Sequence, residues 1–170
     1  MSVYFTSDLH LGHEYAAECR GFADVDLHDL DVIDSFRQLT KRDKLFILGD
    51  VAFSKSRLQL LGALKCVIEI CLGNHDQGKA TEYLKYANEL RGCYQYKGWL
   101  ISHFPIHPQE LYRCKGNIHG HIHNGAATPP ITDIRYCNVN WDWHRGPVRF
   151  DAIDSQYGDA LYKKPQSEPQ

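Results

Sequence analysis

Five short segments of this chain carry residue types that hold divalent ions: Asp8-Leu9-His10, Gly49-Asp50, Gly73-Asn74-His75-Asp76, His103 and Gly120-His121-Ile122-His123. An Asp-x-His triplet is common by chance, and Gly-Asp is an ordinary turn. Together, however, the segments supply carboxylate, imidazole and amide ligands with no thiolate. That mixture suits borderline divalent ions such as Mn²⁺, Fe²⁺, Ni²⁺ or Zn²⁺ without choosing among them. Two such ions about 4 Å apart activate a hydroxide and clamp a phosphoryl group for in-line displacement. The set therefore points to chemistry on a phosphate ester rather than to a binding module. Within it, Gly73 allows a sharp turn and Asn74 offers a neutral oxygen. His121 and His123, alternate residues of an extended segment, face the same way.

The elements expected around these residues explain how segments so far apart in sequence converge. Val3-Tyr4-Phe5, Lys44 to Leu48, Val67 to Leu72, Trp99 to Ser102 and Asn117 to Gly120 read as strands. Asp8, Asp50, Asn74, His103 and His121 each fall at or just past the end of one. In open, mostly parallel sheets, sites form at the carboxyl ends of the strands. The near-continuous apolar run from Val67 suits a strand buried on both faces. Helices are expected from about Asp29 to Lys41, with Leu30, Ile33, Phe36 and Leu39 as a core stripe, from Ser56 to Leu64, and from Lys79 to Leu90. Tyr94 to Tyr96 and the strand from Trp99 flank Lys97-Gly98, a hairpin turn. Tyr136 to Val139 and Val148 to Phe150 add strands. The pattern alone supports an α/β fold. It forms one domain, residues 1–155, followed by a polar tail, residues 156–170.

The 170 residues are enough for one domain with a real core, and 43% of them are hydrophobic. A formal net charge of −2 does not suit a protein that grips long nucleic acid mainly through its phosphates. Six cysteines, none in a Cys-x-x-Cys pair, argue against a zinc ribbon or redox motif. With no signal peptide and no membrane-length apolar stretch, a reducing, cytoplasmic setting is expected.

In order and content the five segments resemble the calcineurin-like metallophosphoesterase superfamily. The start Asp8-Leu9-His10-Leu11-Gly12-His13, with Ser102-His103-Phe104-Pro105 and Cys137-Asn138-Val139-Asn140, is similar to its small, single-domain bacterial and phage members. The resemblance implies a four-layer sandwich, two mixed β-sheets packed face to face with helices outside. It implies that Asp8, His10 and His123 hold one metal ion, that Asn74, His103 and His121 hold a second, and that Asp50 bridges them. Mn²⁺ is the favoured metal. His75 is left as a catalyst beside the leaving group, with a metal-held hydroxide as the nucleophile. Protein phosphatases of this superfamily read Gly-Asp-x-Val-Asp-Arg-Gly and Gly-Asn-His-Glu. Here Gly49-Asp50-Val51-Ala52-Phe53 lacks the arginine, and Asp76 replaces the glutamate. The expected activity is hydrolysis of phosphodiesters, cyclic-nucleotide or nucleic-acid-derived. The alternatives are a DNA end-processing nuclease, a phosphomonoesterase and, with less support, a non-enzymatic scaffold. No protein or membrane partner is expected.

Other residues carry weaker expectations. His13, Arg20 and Lys55 are candidate substrate contacts, as is Arg57, although a solvated surface charge explains the basic ones equally well. His28 reads as solvated, His107 and His144 as surface residues, and His119 carries no assigned role. Trp141 and Trp143 read as packed aromatics before they read as stacking platforms for a base.

Overall fold

The computed structural model describes residues 1–124 and 131–158. Most of the expected tail lies outside the described residues. Of it, residues 156–158 are described; they end a π-helical turn (Asp154–Gly158) that follows α6 (Phe150–Ile153). The turn is tied down, because Asp154 accepts hydrogen bonds from Trp99 Nε1 at 2.9 Å and Lys115 Nζ at 2.7 Å.

The chain forms two mixed sheets. The first has the order β4-β3-β2-β1-β9 and the second β5-β6-β7-β8. β1 (Val3–Thr6), β2 (Lys44–Leu48), β3 (Val67–Cys71) and β4 (Glu89–Arg91) are parallel neighbours, and β9 (Val148–Arg149) closes the β1 edge antiparallel. In the second sheet β5 (Tyr94–Tyr96) and β6 (Trp99–Ile101) form the expected hairpin, with Lys97 and Gly98 both at positive φ in its turn. β7 (Gly116–His119) and β8 (Tyr136–Asn138) run parallel to β6.

The two-residue period of β2 sorts the core. Leu45 and Ile47 join Val32, Phe36, Leu39, Leu58, Leu61 and Ile70, between the sheet and its flanking helices. Phe46 and Leu48 point the other way and join Trp99, Ile101, Ile118, Cys137 and Phe150 in a layer between the two sheets. A strand buried on both faces has no polar face, which is why β2 reads as an unbroken apolar run. β3 departs from that pattern at Glu69, which is buried but paired with Lys44 and Arg91.

The helices are shorter than expected. α2 spans Val25–Asp34, starting where the Asp24 side chain accepts from Leu27 N and ending where the Ser35 hydroxyl donates to Val32 O. Its buried side carries His28, Asp29 and Val32, so Leu30 is 63% exposed and is not a core residue. The Lys79–Leu90 segment keeps only one helical turn, α4 (Ala80–Tyr83). Asn88 exchanges backbone and side-chain hydrogen bonds with Ile68, drawing the chain alongside β3 as β4. Sheet pairing overrides the helical spacing there. The remaining α-helices among the described residues are α1 (Glu14–Cys19), α3 (Lys55–Leu58) with its 3₁₀ continuation (Gln59–Ala63), and α5 (Trp141–His144).

Candidate metal centre

β1, β2 and β3 deliver three loops to one edge, and β6 and β7 of the second sheet deliver two more. The loops are cross-linked by their backbones. Asp8 N donates to Gly49 O and His10 N to Asp50 O, both at 2.9 Å, and Gly120 N donates to His103 O at 3.0 Å. Two glycines allow this crowding. A Cβ on Gly73 would lie 2.3 Å from Asp50 Oδ1, and one on Gly120 would lie 2.2 Å from Ser7 Oγ. Gly73 is therefore needed for close approach; its φ lies outside the left-handed region.

Two groups of side chains converge there. Asp8, His10 and His123 form one; Asp50, His103 and His121 form the other, with the ligand atoms of each group within 4.8 Å of one another. Asn74 Oδ1 joins the second group, 2.9 Å from His103 Nε2. Asp50 Oδ2 lies between the groups, 3.8 Å from His10 Nε2 and 3.5 Å from His103 Nε2. Asp8, His10, Asp50 and His121 all have positive φ, between 52° and 67°. Left-handed backbone costs a non-glycine residue about 1–3 kcal/mol and persists only where the surroundings impose it.

Donor and acceptor roles decide what fits between these atoms. His103 Nδ1 lies 2.7 Å from Leu48 O and His123 Nδ1 2.7 Å from Asp142 Oδ2. An acceptor there fixes the proton on Nδ1 and leaves Nε2 as a bare acceptor. His103 Nε2 thus faces Asn74 Oδ1 and Asp50 Oδ2, both acceptors. His123 Nε2 faces Asp8 Oδ1 at 3.6 Å and His10 Nε2 at 3.1 Å. Asp8 Oδ1 is buried and has no hydrogen-bond partner. In the second group the acceptors around His103 Nε2 converge with no donor hydrogen from that ring, in the first Asp8 Oδ1 is left unpartnered, and both groups could hold a cation.

Each carboxylate is held by one oxygen and offers the other. Asp8 Oδ2 accepts from Ser7 Oγ and His121 N, and Asp50 Oδ1 accepts from His75 N. Asp76 accepts from Asp50 N, Val51 N and Gly73 N at 2.8–2.9 Å, pinning the β2 and β3 loops together. Burial pushes Asp8 up to about 6, against the pull of His103 and Ser7. Burial and the neighbouring His123 lower His10 to about 2. His123 is raised, chiefly by its bond to Asp142. Burial opposes ionisation of Asp142, but His123 and Arg20 outweigh it and hold Asp142 at about 2.

Arg20 is not free to meet a phosphate. Its side chain is buried, and its nitrogens bond Asp142, Leu9 O, Asp8 O and His28. His28 is itself fully buried and paired with Asp29 at 2.8 Å, not solvated. Arg57 is engaged by Asp26 and Asp29. His13 stacks on Phe53 with ring centroids 3.9 Å apart. Lys55 is 75% exposed and paired with Glu82. His75 is exposed, with its ring 5.0 Å from Phe53 and 5.7 Å from His10. Trp141 is fully buried and Trp143 partly exposed. The contributions of Asp142, Ser7 and Phe53 were missed, because no spacing rule ties them to a ligand.

A gene 66 protein of Mycobacterium phage D29 is 33% identical to this chain, with 84% of this chain and 89% of the relative covered. The chain belongs to the mycobacteriophage gene 66 protein family. The gene 66 protein of Mycobacterium phage L5 is 29% identical over 90% of this chain and 93% of its own length. No family model matches. Among solved structures, a protein of unknown function from Aquifex aeolicus superposes with a TM-score of 0.73 at 26% identity, over 91% of this chain and 98% of that one. The Pseudomonas putida nuclease MPE gives a TM-score of 0.52 at 15% identity, over 71% of this chain and 61% of its own, a likeness of fold alone. Among the described residues, no helix is long and apolar enough to cross a membrane.

Proposed function

We propose that this gene 66 family protein is a dinuclear-metal-dependent phosphoesterase that hydrolyses phosphodiesters. The observation that carries this reading is the pair of buried Asp/His groups with Asp50 between them. Asp8, His10 and His123 would hold one ion, Asn74, His103 and His121 the other, and Asp50 both. Bound ions supply Lewis-acid charge and a more acidic water. Water attacks phosphorus, the P–O ester bond breaks, and the departing oxygen takes its proton from His75. The 2.9 Å bond from His75 N to Asp50 Oδ1 fixes that histidine's backbone beside the ion groups. The same reading carries the four-layer sandwich, a preference for Mn²⁺, a nucleotide or nucleic-acid-derived substrate and a cytoplasmic setting, the last supported by six unpaired thiols.

The deciding assay compares bis-p-nitrophenyl phosphate with p-nitrophenyl phosphate under Mn²⁺. Turnover of the diester is expected; turnover of the monoester alone overturns the diesterase assignment. A second reading, a DNA-processing nuclease, draws support from the fold shared with nuclease MPE. The near-neutral net charge opposes tight duplex binding. Salt-sensitive cleavage of DNA ends at a rate matching the small diester would favour it.

A further inference from the structure

A cleft of about 390 Å³ opens beside His75, lined by Phe53, Ser54, Lys55, Leu58, Gln77 and Tyr83 among others. No candidate ion ligand lines it, so it begins where the ion groups end and is joined to them through His75. In an in-line displacement the leaving group departs on the side opposite the attacking water. We propose that this cleft is the leaving-group subsite and that it takes a nucleoside, an inference that rests on the phosphoesterase reading above.

The lining fits that occupant. Leu58 and Tyr83 are almost fully buried, and the Tyr83 hydroxyl is held by Asp76 at 3.3 Å. They form a rigid apolar floor suited to a flat base. Phe53 is 39% exposed and adds an aromatic wall. Ser54, Gln77, Lys55 and Glu82 give a polar rim that matches ribose hydroxyls and base edges. The walls come from two segments, the β2–α3 loop and the β3–α4 loop, and the Lys55–Glu82 pair ties them together. The volume falls within the usual range for small-molecule sites and is far too small for a duplex. Phe53 also packs against His13 and His75, so a ring held against it lies next to the proton donor.

The test has a binding arm that needs no turnover. Adenosine, ribose and buffer alone are titrated into the ¹⁵N-labelled full-length protein with Mg²⁺, and amide shifts are mapped. Adenosine is expected to move Phe53, Ser54, Lys55, Gln77 and Gly78 with a Kd of about 0.1–1 mM, and ribose is expected to move none. Phe53→Ala should weaken adenosine about tenfold, the loss expected for one base–aromatic contact. Gln77→Ala, an exposed change, guards against misfolding of the first variant and should weaken it by less. Absent shifts, or shifts confined to the separate pocket of Ile131 and Trp143, overturn the proposal. A second arm assays hydrolysis of a dinucleoside monophosphate under Mn²⁺. Hydrolysis without adenosine shifts sinks the cleft alone; shifts without hydrolysis of any diester sink the reaction.

Discussion

The two candidate ion groups sit side by side at the strand ends of the two sheets but are braced by different means. In the first, His123 leans on a carboxylate, Asp142, which is itself held by the buried Arg20 at 2.6 Å. Arg20 also grips the backbone carbonyls of Asp8 and Leu9, so one guanidinium orients two of the three ligands. In the second, His103 leans on a neutral backbone carbonyl, Leu48 O, and Asn74 is an exposed amide. A carboxylate behind a histidine makes it a more basic ligand. The first group should therefore bind its ion more tightly, and the second should fill and empty more readily. That expected difference rests on what stands behind the imidazoles, not on the ligands alone.

The largest perturbation tests what the groups share. Asp50→Asn removes the charge between them. It should leave fewer than one Mn²⁺ per chain by elemental analysis and cut turnover about 10³-fold, the loss of several kcal/mol of charge stabilisation. Full occupancy in this variant would mean that the groups are independent. His75→Ala should keep both ions and lose about 10²–10⁴ in turnover, as expected for a positioned proton donor; loss of metal by the same analysis would overturn its role. Asp142→Asn probes the asymmetry directly. By calorimetric Mn²⁺ titration it should weaken the tighter of two binding events by about 10–100-fold and spare the weaker one. Equal weakening of both would erase the distinction.

The smallest effect gives a baseline outside both groups. The bonds from Lys115 and Trp99 outweigh burial and hold Asp154 below the usual carboxylate range. A carboxylate lowered on folding stabilises the native state above its unfolded value, near 3.8. That contribution is lost as pH falls below it. Asp154 is one-third exposed, so Asp154→Asn should cost no more than about 1 kcal/mol in urea unfolding at pH 7 and less at pH 3. The cost should be the same with and without Mn²⁺. Dependence on metal would show that the C-terminal turn is coupled to the centre.

The sequence was most legible where chemistry restricts residue choice. Asp8, His10, Asp50, Asn74, His103, His121 and His123 could be picked out because few residue types bind ions and because each follows a strand. β2 was legible too, since burial on both faces leaves an apolar run. What escaped were residues that act by touching another side chain. Arg20 looks like a surface cation, yet it is the buried partner of Asp142, more than a hundred positions away. His28 looks like a solvated helix residue, yet it is buried against Arg20. Leu30 failed for a local reason: the helix starts earlier than its apolar spacing suggests, and the buried face turns to Val32. The Lys79–Leu90 helix failed because pairing with β3 outweighed spacing, and no local pattern reports a strand partner.

Asp76 has a consequence for motion. One carboxylate accepts the amides of Asp50, Val51 and Gly73, which belong to the ends of two different strands. Oδ2 takes Asp50 N and Gly73 N together, one amide from each strand end, so parting the two loops costs this buried oxygen one of its two donors. They should open as a single cooperative unit, and in hydrogen–deuterium exchange their protection factors should rise and fall together. Asp76 thus acts as a latch between the loops that carry Asp50 and Asn74.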